Sequence, residues 1–274
     1  MDARELLDRV CEVSPLPATT QRVLALLEDP NASYAAVGRA VAGDPALAAE
    51  VMRLARSPVH AAQVPVDDLE AATRRLGLAE LRDMASAMAM LAAFRSEHEL
   101  ALRIHDQAVI AGTLARAVAA ALGHRRPATV YLSGLLCEIG ALACFAVDPE
   151  GYGALRGEAG DRADMRAYLE RARYGATSWE LGAAFLRRNR LPDSVCAAVA
   201  ADPDGDDVLA VSVTYFVRRA VPEIVAASRD GDPEWLERTH ATARSVGIDL
   251  DAETLAQVVL SAGAEALDEL HARG

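Results

Sequence analysis

Residues 134–140 read Gly-Leu-Leu-Cys-Glu-Ile-Gly, so Cys137 and Glu138 place a thiol and a carboxylate, two groups able to ligate a metal ion, side by side in an apolar run. Glu138 is the single charged residue between positions 128 and 147. An ionised carboxylate in such surroundings is costly unless it is paired, so a partner for Glu138 is expected, either His105 or an Arg. Cys137 suits a core as a small hydrophobe. The four cysteines, at 11, 137, 144 and 196, have neither the CxxC spacing of a zinc site nor the density of a secreted disulfide scaffold. They read as reduced, mostly buried thiols. No Lys occurs anywhere, which excludes Schiff-base chemistry. The turn Asp202-Pro203-Asp204-Gly205-Asp206-Asp207 has the look of a calcium loop but lacks the bidentate Glu at the required spacing, and reads as a solvated connection.

The elements that must position these groups are helices. Hydrophobic residues make up 52% of the 274, aromatic ones only 4%, so the core is built from Ala, Leu and Val. Such residues favour close-packed helices, and an all-α fold is expected. Val23, Leu26 and Leu27 mark a short early helix, Ser33 caps the next, Asp44-Pro45 starts another, and Asp67 precedes one that Gly77 ends. A polar stretch at 95–99 divides the chain into domains 1–98 and 99–274. Beyond it, Ile104, Ala108, Ala111, Ala115, Val118 and Leu122 form one face of a long amphipathic helix, with His105 about 100° away at the edge of the buried face.

Positions 128–147 predict one central apolar helix. It is about as long as a membrane span, but its small and polar residues and mid-span carboxylate favour the centre of a helical domain. A Gly-rich link follows at 151–160, then helices at 162–173, 178–190, 193–201, 207–228, 233–246 and 252–271. The N-terminus has no signal-peptide core, which predicts a cytoplasmic location without a membrane anchor. The net charge of −12 lacks the footprint of a nucleic-acid binder, and the Arg pairs at 74–75, 125–126 and 187–188 read as solvated.

Four segments carry a family resemblance: Ser14-Pro15-Leu16-Pro17, Gly43-Asp44-Pro45-Ala46-Leu47, Leu54-Ala55-Arg56-Ser57, and Leu69-Glu70-Ala71-Ala72 through Leu76-Gly77-Leu78 to Leu81-Arg82. In order and spacing they resemble the HDOD domain, the HD-related output domain of bacterial signalling proteins. Arg56 stands where that family usually has Asn. The similarity runs over about 10–205 and implies a two-lobed helical fold, an N-terminal HDOD lobe packed on a degenerate HD-like lobe with a C-terminal helical extension.

Catalytic HD proteins hold divalent metals on histidines, a His-Asp doublet and a last Asp, and the metals polarise phosphoryl groups and activate water. By resemblance, His105 matches the first histidine and the doublet falls on Cys137-Glu138. Ser178, within Gly175 to Gly182, falls where relatives commonly keep His, and Asp202-Pro203 falls near a late His-His. No carboxylate lies between Val208 and Arg219, where the last Asp would be expected. One ligand of five survives unaltered. The resemblance therefore implies no catalytic residue, metal or cofactor. It implies a signal-transduction or regulatory module acting through protein–protein contacts, with partners from two-component or cyclic-nucleotide systems and no nucleic acid. The competing expectation is a divergent metal-dependent phosphohydrolase, a phosphodiesterase or nucleotidase. A small-molecule pocket at the remnant site stays open under either.

Overall fold

The computed structural model describes residues 2–13, 18–27, 29, 31–56, 66–160 and 162–273. Every regular element among them is a helix, sixteen in all. The motif at 14–17, and Ser57 of a second motif, lie outside the described residues, as does the side chain of Cys11.

The chain divides into two compact units, Pro15–Ala93 and a larger one made of Met1–Ser14 with Phe94–Gly274. The first helix, α1 (Ala3–Val13), thus belongs with the C-terminal unit, where it packs on α9 and α12, defined below. A single boundary at residue 98 does not anticipate this return. Its cause is the apolar face of Leu6 and Val10, buried at 1% and 2% exposure.

The smaller unit holds α2 (Ala18–Leu27), α3 (Tyr34–Val41), α4 (Pro45–Arg56), α5 (Leu69–Leu76) and α6 (Leu78–Ala93) around Val37, Val51, Leu54 and Leu81. Its helix starts are set by side chains. Ser33 Oγ accepts from the Ala36 amide at 3.1 Å, and Asp44 Oδ1 accepts from Leu47 at 3.1 Å just ahead of Pro45. The α5 cap is Asp68, one residue later than expected; its Oδ1 accepts from Ala71 at 2.7 Å. Gly77, at φ +84°, ends α5 in a conformation that disfavours side chains.

The larger unit continues with α7 (Glu99–Ala121), α8 (Pro127–Leu135), α9 (Ile139–Val147), α10 (Pro149–Ala159), α11 (Ala163–Tyr174), α12 (Ser178–Arg188), α13 (Asp193–Ala200), α14 (Val208–Asp230), α15 (Trp235–Ser245) and α16 (Ala252–Arg273). Helix α7 is flanked by α8, α14 and α16, and its Ile104, Leu114 and Val118 are buried.

Two expectations are corrected here. The central apolar helix is two helices, α8 and α9, separated by a turn at residues 136–138. The amides of Cys137 and Ile139 reach back three residues, to Gly134 and Leu136, which tightens the chain there and ends α8. The Gly-rich link at 151–160 is the helix α10. Asp148 caps it by accepting from Gly151 at 3.1 Å, Pro149 fits its first turn, and Tyr152, Leu155 and Ala159 bury one face. Capping and packing there override the low helix propensity of glycine.

The two glycines that frame 134–140 are contact points. A Cβ on Gly134 would meet the Ala111 carbonyl of α7 at 2.6 Å, and one on Gly140 would collide with the Ser178 carbonyl of α12. Backbone meets backbone at both, which presses the 136–138 turn into the unit. Gly140→Ala is expected to cost about 3 kcal/mol by overpacking. Gly153→Ala, where an added Cβ meets nothing, should instead stabilise α10 by about 0.5–1 kcal/mol. Urea unfolding followed by circular dichroism checks both, and equal midpoints for the two variants would contradict the packing described.

Candidate functional site

The site centres on Glu138, which stands immediately ahead of α9 with its carboxylate turned into the unit. Arg166 of α11 grips it with both arms of its guanidinium, Nη1 to Oε2 at 3.0 Å and Nη2 to Oε1 at 3.1 Å. Two further arginines add charge beyond hydrogen-bond range: Arg156 of α10 has Nη1 3.7 Å from Oε2, and Arg218 of α14 has Nε 3.8 Å from Oε1. Burial by itself would raise the Glu138 pKa, but the three guanidiniums overcome it and hold the carboxyl below its ordinary value. Glu138 is therefore ionised.

Arg218 is anchored through its other arm. Nη2 donates to the carbonyls of Cys137 at 2.8 Å and Val199 at 2.7 Å, and the guanidinium stacks 4.5 Å from the ring centroid of Trp179. A second buried carboxylate extends the network. Glu170 accepts from the Tyr152 hydroxyl at 2.9 Å and from the Ser178 amide at 2.7 Å, with Arg166 Nε 3.9 Å away. Burial pushes the Cys137 thiol up to about 12 despite the neighbouring Arg218, so it stays protonated at neutral pH.

Of the positions singled out in the sequence, Cys137 and Glu138 are adjacent in this core. Ser178 joins through its backbone amide on Glu170. His105, half-buried on α7, has its Nε2 3.3 Å from the Phe94 carbonyl. Asp202 ends α13 in a local turn, its Oδ1 accepting from the Asp204 amide at 3.1 Å. The expected partner of Glu138, left between His105 and an arginine, is arginine three times over. Among the described residues no group of three or more His, Cys, Asp or Glu is close enough to hold a metal ion. Where the HD resemblance implies metals, the donor set is one protonated thiol and one carboxylate already occupied by guanidiniums, and it does not fit a divalent cation.

The residues missed from sequence are Arg156, Arg166, Arg218, Glu170, Tyr152 and Trp179. The available signal was narrow: the stretch 208–219 lacks the expected carboxylate, and it carries Arg218 instead.

Removing one partner from a buried ion cluster leaves charge uncompensated. Glu138→Gln is therefore expected to lose about 3–5 kcal/mol at pH 7. Because the folded-state pKa lies below the ordinary 4.5, the carboxylate's contribution is complete above that pH and fades as pH falls through the folded value. The stability gap between wild type and Glu138→Gln should narrow below about pH 4.5. Urea midpoints measured from pH 7 to pH 3 test this, and coincident midpoints at pH 7 would refute it.

Residues 13–204 match the HDOD domain family, and the chain belongs to it. Among solved structures, a presumed phosphohydrolase from Shewanella amazonensis is 22% identical and superimposes with a TM-score of 0.69 over 97% of both chains. An HDOD domain protein of unknown function from Geobacter sulfurreducens is 22% identical, with a TM-score of 0.57 over 96% of this chain and 94% of that one. A presumed signal transduction protein from Marinobacter aquaeolei is 24% identical, with a TM-score of 0.60 over 96% of this chain and 59% of that one. At these identities the likeness is one of fold. An uncharacterized protein of Treponema pallidum is 23% identical over 194 residues, which span 70% of this chain and 38% of that protein.

Proposed function

We propose that this HDOD protein is a non-catalytic regulatory module of signal transduction that acts through protein–protein contacts. The observation that carries the reading is the guanidinium cage on Glu138: Arg156, Arg166 and Arg218 supply the positive charge at the position where the HD resemblance implies metal ions. Guanidinium groups neutralise a carboxylate without offering an open coordination position or lowering the pKa of a bound water, so the cage preserves the core and not the hydrolytic chemistry. The Cys137 thiol, kept protonated by burial, adds no ligand.

Membership of the HDOD family supplies the signalling context, and partners from two-component or cyclic-nucleotide systems in the cytoplasm follow from that context. Chain purified without chelator should contain less than about one-tenth equivalent of Mn, Fe or Zn, a level below that of a bound cofactor. It should also show no turnover of phosphodiester or nucleotide substrates when Mn²⁺ is added. Metal-dependent turnover that disappears on His105→Ala would establish the phosphohydrolase alternative instead.

A further inference from the structure

The arginines around Glu138 supply more donors than its two oxygens accept. Arg166 uses both oxygens, and Arg156 and Arg218 reach them only at 3.7 and 3.8 Å. Arg218 Nε and Nη1, Arg156 Nη1 and Arg166 Nε are buried without a hydrogen-bond acceptor among the described residues. Arg218 as a whole is 3% exposed. Buried charged donors of this kind carry a desolvation cost until an acceptor reaches them.

The side chains that carry these donors also border open space, although the donor atoms themselves are buried. A cavity of about 330 Å³ lies against α10, α11 and α14, and five of its ten lining residues are Arg156, Arg162, Arg166, Arg218 and Arg219. Two carboxylates share the lining, Asp164 and Glu223, and Asp164 is engaged by Arg219 at 3.1 Å. Counting Glu138 and Glu170 as well, five arginines face four acids, an excess of one positive charge in a confined space.

We propose that this cavity binds a phosphoryl oxyanion, with Arg156, Arg166 and Arg218 donating from its floor and Arg162 and Arg219 from its rim. A tetrahedral phosphoryl group presents several oxygens in different directions. Planar guanidinium forks arriving from three helices match that geometry better than a single carboxylate would.

A wider cavity of about 620 Å³ adjoins it and shares Arg156, Gly160 and Pro222. Gly153 and Gly157 line that second space, and an added Cβ at either would meet nothing within 4 Å. The phosphoryl group is thus either free inorganic phosphate or the end of a larger ester whose remainder lies along the glycine side of α10. This reading rests on the non-catalytic assignment above and makes the arginines that neutralise Glu138 the seat of a small regulatory anion.

Trp179, stacked on Arg218, reports on the site, and replacing Trp235, the other tryptophan, by Phe leaves one emitter. Metal-free Trp235→Phe protein is titrated with inorganic phosphate, pyrophosphate and a nucleoside monophosphate, followed by Trp179 emission and by calorimetry. A saturable change is expected. Arg218→Gln should abolish it; because that buried substitution can also unfold the chain, Arg162→Gln/Arg219→Gln at the rim is the second variant. The rim pair should weaken binding by at least about tenfold with unchanged thermal unfolding.

Gly157→Leu separates the two sources: it weakens nucleotide binding alone if the ester occupies the wider cavity, and leaves every affinity unchanged if free phosphate is the ligand. Absence of any saturable signal, or equal affinity in the rim variant, overturns the proposal while leaving the non-catalytic reading intact. Hydrolysis of the nucleotide in the same samples with Mn²⁺ would overturn that reading by itself.

Discussion

An ionised carboxylate inside an apolar unit must be compensated, and that requirement organises the larger half of this protein. Glu138 sits between two helices with no charged side chain of their own, so its neutralisation comes from elsewhere in the chain: Arg156 on α10, Arg166 on α11 and Arg218 on α14. Each of these arginines is itself costly to bury alone. The result is mutual dependence, in which the carboxylate justifies the arginines and they justify it. Glu170 carries the same dependence one step further, because its oxygens fix Tyr152 and the start of α12.

Close backbone contact makes this network reachable. Gly134 against α7 and Gly140 against α12 remove two Cβ atoms at the points where the helices would otherwise be held apart. The turn between them leaves the Cys137 carbonyl facing Arg218, which binds it together with the Val199 carbonyl. Pro222, one turn further along α14, has no amide to offer the Arg218 carbonyl, so the helix ladder loses a rung beside the arginine-lined cavity. The position beside Cys137 and Glu138 is thereby filled with guanidinium cations held by the fold.

Much of the helical layout was legible from residue spacing. Caps at Ser33 and Asp44 and the stop at Gly77 follow from local chemistry that acts within one turn of chain. The errors have two causes. The split of 128–147 goes with close contacts to Ala111 and Ser178, far along the chain, which apolar periodicity does not record, whereas the helical start at Asp148-Pro149 was a local signal that the glycine content of 151–160 masked. The site shows the same division: Glu138 announced itself as a lone charge in an apolar run, whereas nothing local marked Arg156 or Arg166 as its partners.

The sequence alone determined that the chain is helical, that it carries HDOD motifs, and that Glu138 needs an opposite charge. These are properties of composition and short-range spacing. Only the tertiary structure decided which charge that is, that three arginines share one carboxylate, and that the same arginines border a cavity. A guanidinium on a flexible stem can reach many neighbours, and its partner is selected by helix packing, which linear spacing does not encode.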